Sequence, residues 1–152
     1  MSLIQEHLQS TESFLRAHAR PPYPEGFLTI GEYTLQNGSP LEGSLSPLTP
    51  EEVAILQVAK GSLSFPKKNC FQNAQRLVLN DPTRTLLYNE GYALSTMGIP
   101  MHHGWVTLRG KVVEVTWDEP GLEYFGVPFP TDDLDLDDPY TTSQIEILTR
   151  IY

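Results

Sequence analysis

The chain predicts an α+β fold: a helical N-terminal half packed on a small antiparallel sheet of roughly three to five strands. Three observations lead there. Helix starts and 3.6-residue apolar spacing concentrate before residue 80. Strand-like runs bounded by turn residues concentrate after it. The length, 152 residues, suits a single domain, 1–152, with one core.

Each element has a local reason. In residues 2–19, Leu3, Ile4, Leu8, Phe14, Leu15 and Ala19 fall where helical turns would pack on a core. Arg20-Pro-Pro-Tyr-Pro-Glu-Gly breaks that helix. Phe27 to Leu35 reads as a short strand, and Gln36-Asn-Gly-Ser-Pro as a turn. Residues 39–47, rich in Ser, Pro and Gly, read as a surface loop. Thr49-Pro-Glu-Glu opens a helix: Thr49 caps, Pro50 fits the first position, and the acids complement the dipole. Val53, Leu56 and Ala59 share its inner face, and Gly61 stops it.

Asn69 to Leu79 is the next helix, with Ala74, Leu77 and Val78 inward and Asn80-Asp-Pro as its end. Tyr88 to Met97 is a strand with a bend at Gly91. His103–Leu108, the Arg109-Gly110 turn and Lys111–Trp117 form a hairpin. Leu122–Phe129 adds an edge strand, and an acidic loop follows. Thr141–Ile151 is a terminal helix with Ile145, Leu148 and Ile151 inward.

Composition narrows the function classes. The net charge is −9, which argues against a nucleic-acid ligand, because phosphates demand a basic surface. More than half of that excess lies in Asp132, Asp133, Asp135, Asp137 and Asp138. The N-terminus has no signal-peptide pattern, and no apolar run approaches the ~20 residues that span a bilayer, so no membrane association is expected. One cysteine cannot form an internal disulfide, so the chain reads as cytoplasmic.

That cysteine is the strongest chemical signal. Cys70 falls in Lys-Lys-Asn-Cys-Phe-Gln-Asn-Ala, at a predicted helix start. Free cysteine has a pKa of about 8.5, and both a helix N-terminus and an adjacent imidazolium favour the nucleophilic thiolate. Lys67 and Lys68 add weak positive potential. His103 is the best partner: it shares a strand face with Trp105, which would set the imidazole over the Cys70 helix, while His102 points the other way. The hairpin brings residues near 114 opposite residues near 105, so Glu114 can reach the second nitrogen of His103 and fix its tautomer. The Cys70 amide is one natural oxyanion donor; Asn69, Gln72 and Gln57 are candidates for a second. Trp105 and Trp117 suit core and cleft wall, and Glu90 is either a structural carboxylate or a cleft-lining group.

A metal site built from Cys70, His102, His103 and Glu114 is the weaker reading, since adjacent strand histidines diverge and no zinc spacing is present. Asp133-Leu-Asp-Leu-Asp-Asp-Pro lacks the glycine and closing glutamate of a calcium loop.

The run Cys-x-x-Asn-Ala (70–74), Glu-Gly-Tyr-Ala (90–93), Pro100, His103-x-Trp105 and Glu114-x-Thr-Trp117 resembles the core of the papain-like and transglutaminase-like superfamily. In particular it is similar to small uncharacterised bacterial and phage proteins of that kind. The match covers residues 65–127. Gly104 stands where alanine is usual, a change harmless to the chemistry, and Glu114 where aspartate is commoner. The resemblance implies a cysteine hydrolase or acyl-transfer enzyme with a Cys70-His103-Glu114 triad. Its substrate would be a protein, peptide or small amide, with no cofactor. The alternative is a catalytically silent binding module that uses the same cleft to grip a partner.

Overall fold

The computed structural model describes residues 1–41, 46–137 and 143–150. It is mixed: helices pack against one curled antiparallel sheet. The order is α1 (Leu3–His18), α2 (Ile30–Asn37), β1 (Ser39–Pro40), α3 (Pro50–Lys60), α4 (Cys70–Leu79), β2 (Leu86–Leu94), β3 (Pro100–Leu108), β4 (Lys111–Val113), β5 (Glu123–Phe129) and α5 (Gln144–Thr149). The sheet runs β1-β5-β2-β3-β4, with every pair antiparallel. Among the described residues no helix is long and apolar enough to cross a membrane.

Strand alternation divides the sheet into two faces. Leu86, Tyr88, Val106, Leu108, Val113, Val127 and Phe129 share the face that takes Leu56 and Ala59 of α3, Ala74, Leu77 and Val78 of α4, and Ile145 of α5. Fully burying each such aliphatic side chain stabilises by about 1.5–3 kcal/mol before entropy is counted. Leu94 and Phe125 extend this face under Ile4 and Leu8 of α1. The opposite face is smaller. Ala93, Trp105 and Tyr124 lie there under Leu41, Val112 and Trp117.

Several boundaries differ from expectation. Residues 30–37 are helical rather than a strand. Thr29 accepts from the Glu32 amide while the Glu32 carboxylate accepts from the Thr29 amide, a capping box that outweighs the short apolar run. Ser39 and Pro40 pair with β5, so the predicted loop begins with two strand residues, and β5 is flanked on both sides. β2 spans Leu86–Leu94 instead of 88–97, because Ser95–Ile99 closes a turn through the Ile99 carbonyl. Phe14 and Leu15 of α1 are exposed; only Ile4 and Leu8 are buried.

On α3, Val53 is exposed and Glu52 takes the inner position, held by Lys111 Nζ at 2.6 Å. On α5, Ile145 is buried but Leu148 is exposed, and Ile151 lies outside the described residues, as does Asp138. The helix starts at Thr49 and Cys70 and the Arg109-Gly110 turn fall where the local rules put them. Both turn residues have positive φ, 51° and 80°.

Candidate active site

Cys70 is the first residue of α4, where the helix leaves unpaired N–H groups and the positive end of its dipole. Asn69 precedes it as the N-cap but makes no side-chain cap. Asn73, one turn on, is fully buried. Its amide donates to the Pro66 carbonyl at 2.8 Å and to Thr116 Oγ1 at 2.9 Å. Those bonds tie the helix start to the segment that carries Glu114.

β4 ends at Val113 rather than continuing to residue 117. The reason is Glu114 itself. Its Oε2 accepts from the backbone N–H groups of Thr116 and Trp117, both at 3.1 Å, which curls the chain out of the sheet. Its Oε1 accepts from His103 Nε2 at 2.8 Å and from Tyr124 Oη at 2.9 Å. All four bonds go to a carboxylate that is almost wholly buried. Burial pushes the Glu114 carboxyl up, but its hydrogen bonds, led by the one from His103, hold it below the ordinary range.

His103 is 1% exposed and stacks on Trp117, with ring centroids 4.0 Å apart. With Nε2 committed to Glu114, Nδ1 is the nitrogen left for the Cys70 sulfur. Burial alone would lower the His103 pKa. The adjacent Cys70 side chain and the hydrogen bond with Glu114 outweigh it and raise the group to about 9. The imidazole lies between the Cys70 thiol and the Glu114 carboxylate.

The route by which the thiol meets the histidine differs from expectation. α4 packs on the face that carries His102 and Gly104: the Phe71 ring lies 4.8 Å from the His102 ring. His103 and Trp105 belong to the opposite face. Cys70 reaches His103 around the outer edge of β3, beyond the point where β4 stops. Gly104 makes this approach possible. A Cβ there would fall 2.9 Å from Phe71 Cδ1 and 3.0 Å from Tyr88 Oη, so glycine at this position is structural rather than incidental.

A cleft of about 500 Å³ opens on Cys70, floored by Met101, His102 and His103 and walled by Phe71 and Trp117. Lys67 Nζ and Asp118 Oδ2 pair at 3.1 Å beside it. Of the candidates for a second oxyanion donor, Asn69 and Gln72 line a separate groove with Pro66 and Arg76. At 100° per residue, Gln72 is turned about 200° from Cys70 around the helix. Gln57 is an exposed residue of α3 and lines neither groove. None of the three faces the Cys70 cleft.

The predicted cleft wall also divides. Trp117 lines the cleft, whereas Trp105 is fully buried against Tyr124, ring centroids 4.9 Å apart. Glu90 is fully buried and does not line it. It accepts from Tyr88 Oη at 2.7 Å, His102 Nε2 at 3.2 Å, and the Gln144 and Ile145 amides at 2.7 and 3.2 Å, together with Ser143 Oγ. Sequence reasoning did not foresee the distant part of that hub, because Ser143, Gln144 and Ile145 lie more than 50 residues away along the chain. Nor did it foresee His102 and Met101 as cleft floor; their position on the strand before His103 was the available signal.

Comparison of this chain with protein-family models, curated proteins and solved structures finds no match.

Proposed function

We propose that this chain is a cysteine-dependent hydrolase or acyl-transfer enzyme acting on an amide or peptide-type bond, built on a papain-like or transglutaminase-like core. The observation that carries the reading is the buried His103–Glu114 pair, 2.8 Å apart, beside a thiol on the first residue of a helix. Structural cysteines need no histidine partner, and an imidazole held by a carboxylate beside a thiol is placed to take its proton.

The chemistry balances with these groups. The Cys70 proton passes to His103, and the sulfur attacks the carbonyl carbon. The oxyanion draws on the Cys70 amide at the helix start. Collapse expels the amine, which leaves with the proton from His103, and a thioester remains. Water, or an acceptor amine, then gives a proton to His103 and attacks the thioester. The acid or the new amide departs, and His103 returns its proton to the sulfur. Glu114 holds the imidazole in one orientation and stabilises its cationic form.

Intact mass after incubation with activated acyl esters and amides tests the proposal. An acyl adduct is expected on the wild-type protein, absent in Cys70→Ala and slower to form in His103→Ala. Adducts that form equally in wild type and His103→Ala would remove the histidine from the chemistry.

A further inference from the structure

The cleft floor is a strand edge, and this identifies what fits it. Leu108 and Lys111 flank the two-residue Arg109-Gly110 turn, so they form a hydrogen-bonded pair, and Val106 with Val113 is the next. Backbone groups on β3 alternate in direction, so even-numbered residues turn N–H and C=O away from β2. Leu108 and Val106 spend theirs on β4. Beyond Val113 no strand pairs with this edge among the described residues, although β2 accompanies β3 all the way to Pro100. Gly104 is buried, whereas His102 is half-buried and lines the cleft, so the outward backbone groups that open where β4 is missing are those of His102. Pro100, which has no N–H, stands next on the same register, as suits an edge. The Cys70 cleft lies along this stretch, between the start of α4 and Trp117.

Resting on the catalytic reading above, we infer that the substrate is an extended polypeptide segment, bound as an added strand on the Pro100–His102 edge of β3. Main-chain bonds to His102 would fix its register and carry its scissile carbonyl to Cys70. Met101, Phe71 and Trp117 supply apolar surface for a bulky apolar side chain near the scissile bond. A small amide has no second peptide group to occupy that edge.

The test uses vinyl sulfones that share one warhead: an acetyl-capped glycine, an acetylated Val-Leu-Gly tripeptide, and the same tripeptide N-methylated at leucine or at glycine. In wild type the tripeptide is expected to modify Cys70 at least about tenfold faster than the capped glycine, and one of the two N-methylations to remove most of that gain. Equal rates for all four would overturn the inference while leaving the nucleophile intact.

Amide exchange in Cys70→Ala, with the unreactive acetyl-Val-Leu-Gly amide at millimolar concentration, reads the edge without the thiol. Slowed exchange at His102 supports the inference, and unchanged exchange there overturns it. Exchange that slows with protein concentration in the absence of peptide, alongside a dimer mass, would assign the edge to a second copy of this chain and also overturn it. Failure of the catalytic reading is separate: an iodoacetamide rate at pH 6 no faster than in the unfolded chain.

Discussion

Two histidine–carboxylate pairs sit side by side on β3 and do different work. His103 and Glu114 are 2.8 Å apart; His102 and Glu90 are 3.2 Å apart. Each carboxylate is buried and accepts several hydrogen bonds. The difference lies in the donors. Glu114 takes its backbone donors from its own turn, two and three residues on, so the pair is a local unit beside Cys70. Glu90 takes its backbone donors from the start of α5, so that pair clips the C-terminal helix to the sheet. Under the proposed function, the same two residue types serve chemistry or architecture according to what else the carboxylate holds.

Substitutions can break the comparison. Glu90→Ala should have the largest effect, because it strands several buried donors; a loss of about 3–5 kcal/mol is expected in denaturant unfolding. Unchanged stability would mean that Glu90 is not the clip. His103→Ala should slow alkylation of Cys70 by iodoacetamide at pH 6 by roughly 100-fold, the scale of a lost acid–base partner. Gly104→Ala forces a methyl against Phe71 and should cost about 1–3 kcal/mol, with slower alkylation as Cys70 is pushed from His103.

Glu114→Gln should have a smaller effect on rate but a distinctive one on pH. Without the carboxylate, His103 should lose its proton below 9, so the alkaline limb of the acylation profile moves to lower pH. Glu90→Gln should leave that limb in place. The smallest effect is on melting temperature. The His103 pKa is raised from 6.5 to about 9 on folding, so its contribution is complete below pH 6.5 and is lost as pH rises through 9. Glutamine at 114 should flatten that slope.

Much of the candidate site was legible in the sequence where the rules are local. The helix start at Cys70 and the Arg109-Gly110 hairpin follow from turn and spacing signals, and the hairpin brings Glu114 towards His103. Three features were not legible. Which face α4 would pack on depends on long-range contacts, so His103 was expected over the helix rather than around the strand edge. Asn69 and Gln72 are near Cys70 in sequence, but that proximity ignores the rotation that turns Gln72 away, and Gln57 lies on a different helix. The role of Glu90 depends on Ser143, Gln144 and Ile145, to which no local pattern connects it. In the fold, the Thr29–Glu32 capping box was present in the sequence but was outweighed by an apolar run that reads equally well as a strand.

The central claim is that Cys70 is an activated thiol because His103 is its partner. The direct measurement is the rate of Cys70 alkylation by iodoacetamide from pH 5 to 10, in the folded wild type, in His103→Ala and in the unfolded chain. The account predicts fast labelling of wild type already at pH 6, with His103→Ala following the unfolded chain. Wild type and the unfolded chain labelling alike at pH 6 would contradict it.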